Sequence, residues 1–269
     1  MVALSRPAAL AAAMTRTHHE FVSDHYSPRA SAYLTSAVHA SGADLDAIEA
    51  VVRRATGARV LDLGCGGGHV SYRVAPHVRQ VVAVDLSEAM LAEVAQTAAA
   101  RGLSNVAVQQ SPAEALPFPD AHFDIVLSRF SCHHWHGWEA GLREAARVLK
   151  PGGKAVFADS IAAADPLIDT HLQAIELLRD VSHVRNYTAA EWAAALGRAG
   201  FAITAWGARR LRMEFPVWIA RTGTSDVHAA AIRSLQAGAS PEVREYLAIG
   251  DDGSFDIEEV IIETARTAG

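Results

Sequence analysis

Two short apolar segments, each followed by a polar turn, constrain the fold of this 269-residue chain most strongly. Residues 60–69 read Val-Leu-Asp-Leu-Gly-Cys-Gly-Gly-Gly-His, an apolar strand that runs into a glycine-rich turn. Residues 81–84 form a second apolar strand, and Asp85 follows it directly. Glycines let a backbone turn sharply and approach a ligand, and an acid after the next strand can accept hydrogen bonds from ribose hydroxyls. Together the two segments predict a site for a nucleotide-type cofactor.

Apolar runs alternate with helical patterns from residue 45 onwards, which is typical of an α/β protein with a doubly wound parallel sheet. We predict a sixth strand at 201–207, with an extension towards residue 215. A last alternating run at 255–264 is expected to pair with it. The five strands that precede these are predicted at 58–63, 80–85, 105–110, 123–129 and 154–159.

Helix-capping signals lie between these strands. Ser87 precedes one helical pattern, and Thr188 with Glu191 forms a capping-box sequence before another. Residues 138–149 predict an amphipathic helix, and we expect that helix to end in a turn at 150–153, which reads Lys-Pro-Gly-Gly.

The composition indicates an ordinary globular protein without a nucleic-acid partner. Half of the residues are hydrophobic, the net charge is −6, and no basic run is present. The two cysteines, Cys65 and Cys132, have the spacing of neither a zinc site nor a disulfide framework, so we expect a cytoplasmic location. No apolar stretch approaches the roughly 18 residues of a membrane span.

One domain is expected to account for most of the chain. Residues 1–16 are alanine-rich, but their apolar part is too short for a convincing secretory signal. We expect them to be a disordered extension, with Met14 as an alternative start of translation. Residues 17–269 are predicted to form a single domain. Its additions to the sheet are a helical lid at 17–44 and helical cap insertions at 160–187 and 216–250.

The spacing of the glycines separates two kinds of nucleotide cofactor. A dinucleotide site requires Gly-x-Gly-x-x-Gly or Ala, because the third small residue lets helix and strand pack closely under the pyrophosphate. Counting from Gly64 places His69 at the third small position, and counting from Gly66 places Ser71 there. The pattern therefore disfavours a nicotinamide cofactor.

The segment 62–68, Asp-Leu-Gly-Cys-Gly-Gly-Gly, resembles motif I of the class I S-adenosylmethionine (SAM) methyltransferases. Residues 115–127 resemble that family's loop and fourth strand, and residues 147–154 resemble its turn before strand five. The strongest resemblance is to the type 11 group, which includes the ubiquinone/menaquinone C-methyltransferases. It implies a Rossmann-like, seven-stranded sheet, mostly parallel with a C-terminal antiparallel strand, and helical insertions over the active site. It also implies SAM as cofactor, S-adenosylhomocysteine (SAH) as product, and no metal.

The same resemblance implies the cofactor-binding residues. Asp62, Gly64 and Gly66 would line the methionine and ribose portion, Asp85 would hold the ribose hydroxyls, and Leu86 would pack on the adenine. Where the family often has an aspartate that reaches the adenine amino group, this chain has Pro112, which offers neither a carboxylate nor an N–H. Adenine recognition would then rest on the backbone N–H of Ala113, with Ser111 as a second candidate. Cys65 and Ser128 complete the predicted cofactor-binding residues.

The histidine-rich segment after strand four is the candidate catalytic region. Ligands of open α/β sheets lie beyond the carboxyl ends of the strands. Methyl transfer needs a base only where the acceptor must lose a proton, and histidine suits that role near neutral pH. We predict His133 or His134 as the base, ahead of His136. A purely structural, hydrogen-bonded histidine is the alternative for each of them, whereas a metal site with Cys132 is disfavoured because consecutive loop residues seldom converge on one ion.

Candidate substrate-binding residues come from three segments that could surround the acceptor. Arginines could hold a carboxylate or phosphate through paired N–H donors, but each could equally belong to a solvated, salt-bridged helix face. Tyr26 and Tyr33 could belong to an N-terminal lid or could pack between helices. The predicted substrate-binding residues are Tyr26, Arg129, Arg179, His183 and Arg185.

The sequence therefore predicts a metal-independent SAM methyltransferase that acts on a small molecule, with histidine-assisted deprotonation of an activated carbon or hydroxyl. A carboxylate O-methyltransferase with an arginine-bound acid is the first alternative. An NAD-dependent oxidoreductase and a SAM-binding protein without methyl transfer are alternatives from other classes.

Overall fold

A computed structural model describes residues 17–29 and 42–267 of the chain. The predictions for residues 1–16 and for Tyr33 lie outside the described residues. The strands are β1 (Arg59–Leu63), β2 (Gln80–Asp85), β3 (Val106–Gln110), β4 (Phe123–Arg129), β5 (Leu149–Ala162), β6 (Tyr187–Thr188), β7 (Phe201–Met213) and β8 (Phe255–Arg266). The helices are α1 (His18–Tyr26), α2 (Ala43–Val52), α3 (His69–Val74), α4 (Glu88–Ala100), α5 (Trp138–Val148), α6 (Pro166–Arg179), α7 (Ala189–Ala199), α8 (Phe215–Thr222), α9 (Asp226–Ala237) and α10 (Pro241–Tyr246).

The sheet has the order β3-β2-β1-β4-β5-β8-β7, and the two-residue β6 pairs with β5 beside this path. Strands β1 to β5 are parallel to one another, whereas β8 runs antiparallel to both β5 and β7. The predicted Rossmann-like sheet with a C-terminal antiparallel strand is therefore confirmed. The strand order reverses at β1, which has β2 on one side and β4 on the other, and a crevice at such a point is the usual ligand site of these sheets.

Alternating side chains of the parallel strands fill the two layers between sheet and helices. Val60 and Ile125 face a cluster with α2 and α3, whereas Leu61 and Val126 face a cluster with α5 and α7. Since successive side chains of a strand point to opposite faces, a two-sided apolar strand such as β1 must lie inside the sheet. The sheet is thus covered by helices on both faces.

One predicted strand boundary and one predicted turn were wrong. Strand β5 begins at Leu149 rather than at residue 154, so residues 150–153 do not form the expected turn. The ladder to β4 instead shifts between the pairs Phe123–Leu149 and Ile125–Lys154, and Gly152 takes a positive φ of 72° in this bulge. Extended backbone with one glycine in the left-handed region absorbs the extra residues without leaving the sheet.

The capping predictions agree with the observed helices. The side chain of Ser87 accepts a hydrogen bond from the Met90 N–H at the start of α4. Thr188 and Glu191 form a complete capping box at the start of α7. No helix within residues 17–29 and 42–267 is long and apolar enough to cross a membrane.

Candidate active site

A cavity of about 370 Å³ lies beyond the carboxyl ends of β1, β2 and β4. One end is formed by the turns that follow β1 and β2, and the other by the segment after β4, helices α6 and α8, and strand β7. Helix α1 contributes His19, Val22 and Tyr26 to its wall. Of the predicted site residues, those that line the cavity are Tyr26, Gly64, Gly66, Asp85, Leu86, Ser111, Ala113, Arg129, His133, His134 and Arg179.

The glycine-rich turn after β1 is shaped for a close approach. Gly64 and Gly66 have positive φ angles of 72° and 47°, a region that side chains rarely adopt. A Cβ at Gly64 would lie 1.8 Å from Oγ of Ser131, so only glycine fits between β1 and the segment after β4. A Cβ at Gly66 would meet no atom of residues 17–29 and 42–267 within 4 Å, although Gly66 lines the cavity. Gly66 therefore leaves open a volume that any other residue would fill.

Asp85 closes this turn from the end of β2. One carboxylate oxygen accepts a hydrogen bond from the Gly66 N–H (2.9 Å) and the other from the Ser87 N–H (3.0 Å). Burial raises the pKa of Asp85, and these backbone donors act in the opposite direction. The side chain thus fixes the glycine turn against the start of α4, and it lines the cavity beside Leu86.

Three predicted cofactor residues do not line the cavity. Asp62 accepts hydrogen bonds from both the N–H (3.0 Å) and the hydroxyl (2.6 Å) of Ser71, so it anchors α3 to β1. Burial, against those hydrogen bonds, raises its pKa to about 6. The thiol of Cys65 lies against the apolar cluster of α4, and Ser128 is buried within β4, 3.5 Å from the sulfur of Cys132. These three side chains therefore stabilise the walls of the cavity and do not themselves line it.

Ser111 and Ala113 line the cavity on the side of β2. The Ser111 hydroxyl donates within its own turn, to the carbonyl oxygens of Pro112 (3.1 Å) and Ala115 (2.7 Å). The backbone N–H of Ala113 has no hydrogen-bond acceptor in the part of the chain that the structure describes. The open volume at Gly66, the Asp85 carboxylate and this N–H fit the ribose and adenine of a nucleoside.

His133 has the geometry of a histidine oriented by a carboxylate. Its Nδ1 lies 2.5 Å from Oδ1 of Asp159, and the other oxygen of Asp159 accepts the Cys132 N–H at 2.8 Å. Burial acts to lower the pKa of His133, but the charge and the hydrogen bond of Asp159 outweigh it, so that this pKa is raised. Nδ1 of His133 is held by Asp159, and no residue within 17–29 and 42–267 forms a hydrogen bond to Nε2. Nε2 is therefore the ring nitrogen that this cavity-lining imidazole can offer to a ligand.

His134 lies in a different environment although it is adjacent. Its Nε2 contacts the Tyr26 hydroxyl at 3.1 Å, and its Nδ1 contacts the carbonyl oxygen of Ser182 at 3.2 Å. Burial and the neighbouring charge of His133 lower the pKa of His134 to about 4. Both ring nitrogens are thus engaged with the protein, which favours a structural role over that of a base.

Tyr26 connects the N-terminal helix to the cap. Its hydroxyl donates to Oδ2 of Asp180 (2.5 Å), a carboxylate that is only 1% exposed. The Ser27 hydroxyl lies 2.9 Å from that of Ser87, at the start of α4. His19 lies 3.3 Å from Glu114. Helix α1 is therefore held over the cavity by polar contacts at several points.

Two predicted substrate residues, His183 and Arg185, lie outside the cavity lining. The buried ring of His183 bonds Gln173 at 2.9 Å, and burial, followed by the charge of His133, lowers its pKa to about 2. Arg185 is 40% exposed and pairs with Asp169 at 3.2 Å. Arg185 is therefore a salt-bridged arginine, which was the alternative to substrate binding for the arginines. His183 is a packed histidine of the cap.

Arg129 lines the cavity but is committed to a buried ion-pair network. Its Nε donates to Asp44, whose other oxygen accepts from Arg209 at 2.9 Å, and Arg209 also pairs with Glu259. Burial raises the pKa of Glu259 to about 7, although the hydrogen bond from Arg209 opposes this. The network thus pairs two arginines with two acids, and it joins α2, β4, β7 and β8.

Several residues at the end of the cavity opposite the glycine-rich turn were not predicted from the sequence. Glu176 on α6 lines the cavity and is 7% exposed. One sequence signal could have found it, because Leu172, Ile175 and Glu176 follow the i, i+3, i+4 spacing of a buried helix face and place an acid on it. No comparable local pattern marks the others, which are brought in by β7, α8 and β8: Arg209, Leu211, Met213, Trp218, Arg221 and Ile257.

Among the described residues, no three His, Cys, Asp or Glu side chains are grouped as metal ligands would be.

Comparison with known proteins identifies the family. A family model described as "Methyltransferase domain" matches residues 60–153. YafE of Escherichia coli (strain K12) is 43% identical over 205 residues, which cover 76% of this chain and 99% of YafE. The methyltransferase YcgJ of Bacillus subtilis (strain 168) is 33% identical over 243 residues, which cover 88% of this chain and 96% of YcgJ.

The crystal structure of YcgJ matches the fold with a TM-score of 0.79 over 83% of this chain and 99% of that structure, at 31% identity. The ubiquinone/menaquinone biosynthesis C-methyltransferase UbiE of Shewanella oneidensis is 42% identical over 102 residues, which are 36% of this chain and 41% of UbiE. The chain therefore belongs to the class I SAM-dependent methyltransferases, in the type 11/25 group.

Proposed function

We propose that this methyltransferase acts on a small molecule bound in the cavity, and that His133 removes a proton from it. The observation that supports this proposal is the contact of Nδ1 of His133 with Asp159 in a histidine that lines the cavity. SAM, when bound, supplies an electrophilic methyl group on a sulfonium sulfur. The residues that would hold it are Gly64, Gly66, Asp85, Leu86, Ser111 and Ala113.

Asp159 orients the base. With Nδ1–H donated to the carboxylate, Nε2 of His133 carries the lone pair that can accept a proton from an acceptor hydroxyl or activated carbon. The negative charge of Asp159 stabilises the protonated ring that results. Because the pKa of His133 is raised above its ordinary value of 6.5, only pH values above that pKa leave the base free. Activity should therefore be lost as the pH falls through it.

Helix α1 and the cap would exclude water from the reacting groups. The Tyr26–Asp180 hydrogen bond holds α1 over the cavity, and α6 and α8 cover the acceptor side. A closed site strengthens the electrostatic interactions within it. In this proposal α1 belongs to the predicted lid at 17–44, of which residues 30–41 lie outside the described residues. Helices α6 and α8 fall in the predicted cap at 160–187 and 216–250.

The alternative of a carboxylate O-methyltransferase has less support. It requires cations that are available to an acid, yet Arg129 is paired with Asp44 and Arg185 lies outside the cavity. Arg179 does line the cavity, but its Nη1 lies 3.8 Å from the carboxylate of Glu176 and its Nε donates to the carbonyl oxygen of Trp218. UbiE is named as a C-methyltransferase of quinone biosynthesis, but the match covers 41% of UbiE, so its acceptor is not carried over to this chain.

A labelled-methyl experiment tests the proposal. The purified protein is incubated with methyl-labelled SAM and a small-molecule extract, and labelled products are identified by mass spectrometry. The wild-type protein and the matched control His228→Gln, which alters a histidine of α9 outside the cavity, should label the same product. His133→Gln should bind SAH normally and give little label. Undiminished labelling by His133→Gln would refute the base, and SAM binding without any labelled product would favour the alternative without methyl transfer.

A further inference from the structure

Glu176 is a buried carboxylate on the acceptor side of the cavity. It lies near the end of α6, with 7% of its surface exposed, and it lines the cavity together with His133 and Arg179. The apolar residues Leu172 and Ile175 flank it on the same helix face. Neither the cofactor site nor the proposed base uses this side chain.

No described residue donates a hydrogen bond to the Glu176 carboxylate. The nearest cation is Arg179, whose Nη1 lies 3.8 Å from Oε2, too far for a hydrogen bond. The Nε of Arg179 donates instead to the carbonyl oxygen of Trp218 at 3.1 Å. Burial raises the pKa of Glu176, with Arg179, His133 and Arg221 opposing and Asp180 adding to this rise.

The other buried acids around the cavity differ in this respect. Asp44 and Glu259 are each bonded to arginines, and Asp159 is bonded to His133 and to the Cys132 N–H. A buried carboxylate without donors is costly to the folded state, and such groups are concentrated at binding sites. A ligand that brings a donor would satisfy Glu176.

The surroundings of Glu176 define the remainder of the ligand. The wall contributed by β7, α8 and β8 is mostly apolar, with Leu211, Met213, Trp218 and Ile257. A molecule with an apolar body fits this wall, and it needs one O–H or N–H group directed at Glu176.

We propose that Glu176 binds the methyl acceptor by accepting a hydrogen bond from its hydroxyl or amino group, so that the acceptor class is a hydroxylated or amino-bearing molecule with an apolar body. This assignment rests on the proposed function, because it takes the far end of the cavity as the acceptor site. Glu176 then fixes the acceptor while His133 faces the atom that loses its proton. A carboxylate acceptor is disfavoured, since Glu176 would repel it. Arg129 and Arg209 are already paired with acids, and Arg179 lies beside Glu176 itself.

Three ring compounds of similar size test the assignment on SAH-loaded protein by calorimetry: catechol with two O–H donors, 1,2-dimethoxybenzene with none, and benzoate with a negative charge. The variants are Glu176→Leu and Glu176→Gln, and Glu245→Gln is the matched control on an exposed glutamate of α10. Wild type and Glu245→Gln should prefer catechol. Glu176→Leu should weaken catechol binding by about tenfold or more, as expected for the loss of a hydrogen bond to a charged group. Glu176→Gln, which keeps a carbonyl acceptor, should lose less.

The thermal midpoint of the ligand-free protein separates binding from a merely structural role. Removal of a carboxylate that accepts no hydrogen bond should leave the midpoint of Glu176→Leu equal to or above that of the wild type. If Glu176 instead serves to neutralise Arg179, 3.8 Å away, its removal would lower the midpoint. Catechol binding that is absent or unchanged by Glu176→Leu, a preference for benzoate, or a lowered midpoint would each overturn the assignment. SAH binding is measured separately in every variant. Loss of SAH binding by the wild type would instead refute the proposed function itself.

Discussion

A methyl group added at Gly66 gives a sharp test of the cofactor site. The Gly66→Ala substitution adds a Cβ to a residue that lines the cavity, and no atom of the described part of the chain lies within 4 Å of it. The folded state should therefore bear only the strain of alanine at a φ of 47°. That strain is about 1–2 kcal/mol, which corresponds to a thermal midpoint lower by roughly 2–6 °C in a chain of this size.

Gly57→Ala is the matched control. Gly57 has a φ of 87°, also with nothing within 4 Å of its Cβ, but it does not line the cavity. Both variants should lose a similar amount of stability, since both place alanine in the left-handed region. Only Gly66→Ala should also weaken SAH binding, because its methyl group occupies ligand space.

The expected loss of affinity follows from the cost of an added methyl group in a packed site. Overpacking costs about 1–3 kcal/mol, so the SAH dissociation constant from calorimetry should rise at least about fivefold in Gly66→Ala. Equal SAH affinity in Gly66→Ala and Gly57→Ala would refute the placement of the cofactor against this turn.

Three further predictions follow from the site. Asp159→Asn removes the charge that raises the pKa of His133, so the acidic limb of the kcat/KM profile should move to lower pH while the maximal rate falls; an unmoved limb would contradict the pairing. Tyr26→Phe removes the hydrogen bond to Asp180 and should speed SAH release about five- to tenfold in stopped-flow measurements, whereas an unchanged rate would argue against a lid role for α1. Arg185→Ala should leave KM for the acceptor found in the labelled-methyl experiment unchanged, and a raised KM would restore the original prediction for this residue.

The cofactor half of the site was largely predictable from sequence because its signals are local. Strand, turn and acid stand within one stretch of chain, and Gly64, Gly66 and Asp85 lie where the sequence placed them. The sequence alone does not decide the role of Asp62, because a carboxylate at a strand end can face either the ligand or the following helix. Here Asp62 accepts hydrogen bonds from the N–H and the hydroxyl of Ser71, so it faces the helix α3.

The acceptor half was less predictable because it is assembled from distant segments. Arg209 and Asp44 are 165 positions apart in the chain, and only the sheet and α2 bring them together. His133 and His134 are adjacent and look equivalent in the sequence. Asp159 raises the pKa of His133, whereas burial and the charge of His133 lower the pKa of His134. Such differences depend on contacts between distant segments, and the spacing of residues along the sequence does not reveal these contacts.

A crystal structure with SAH bound tests the central claim most directly. The distance from Nε2 of His133 to the SAH sulfur, and the contents of the volume between them, decide whether this histidine can serve the acceptor. We predict that the sulfur faces the end of the cavity lined by His133 and Glu176, with room for an acceptor atom between the sulfur and Nε2. A sulfur directed away from His133, or Nε2 shielded from that volume by protein atoms, would contradict the account.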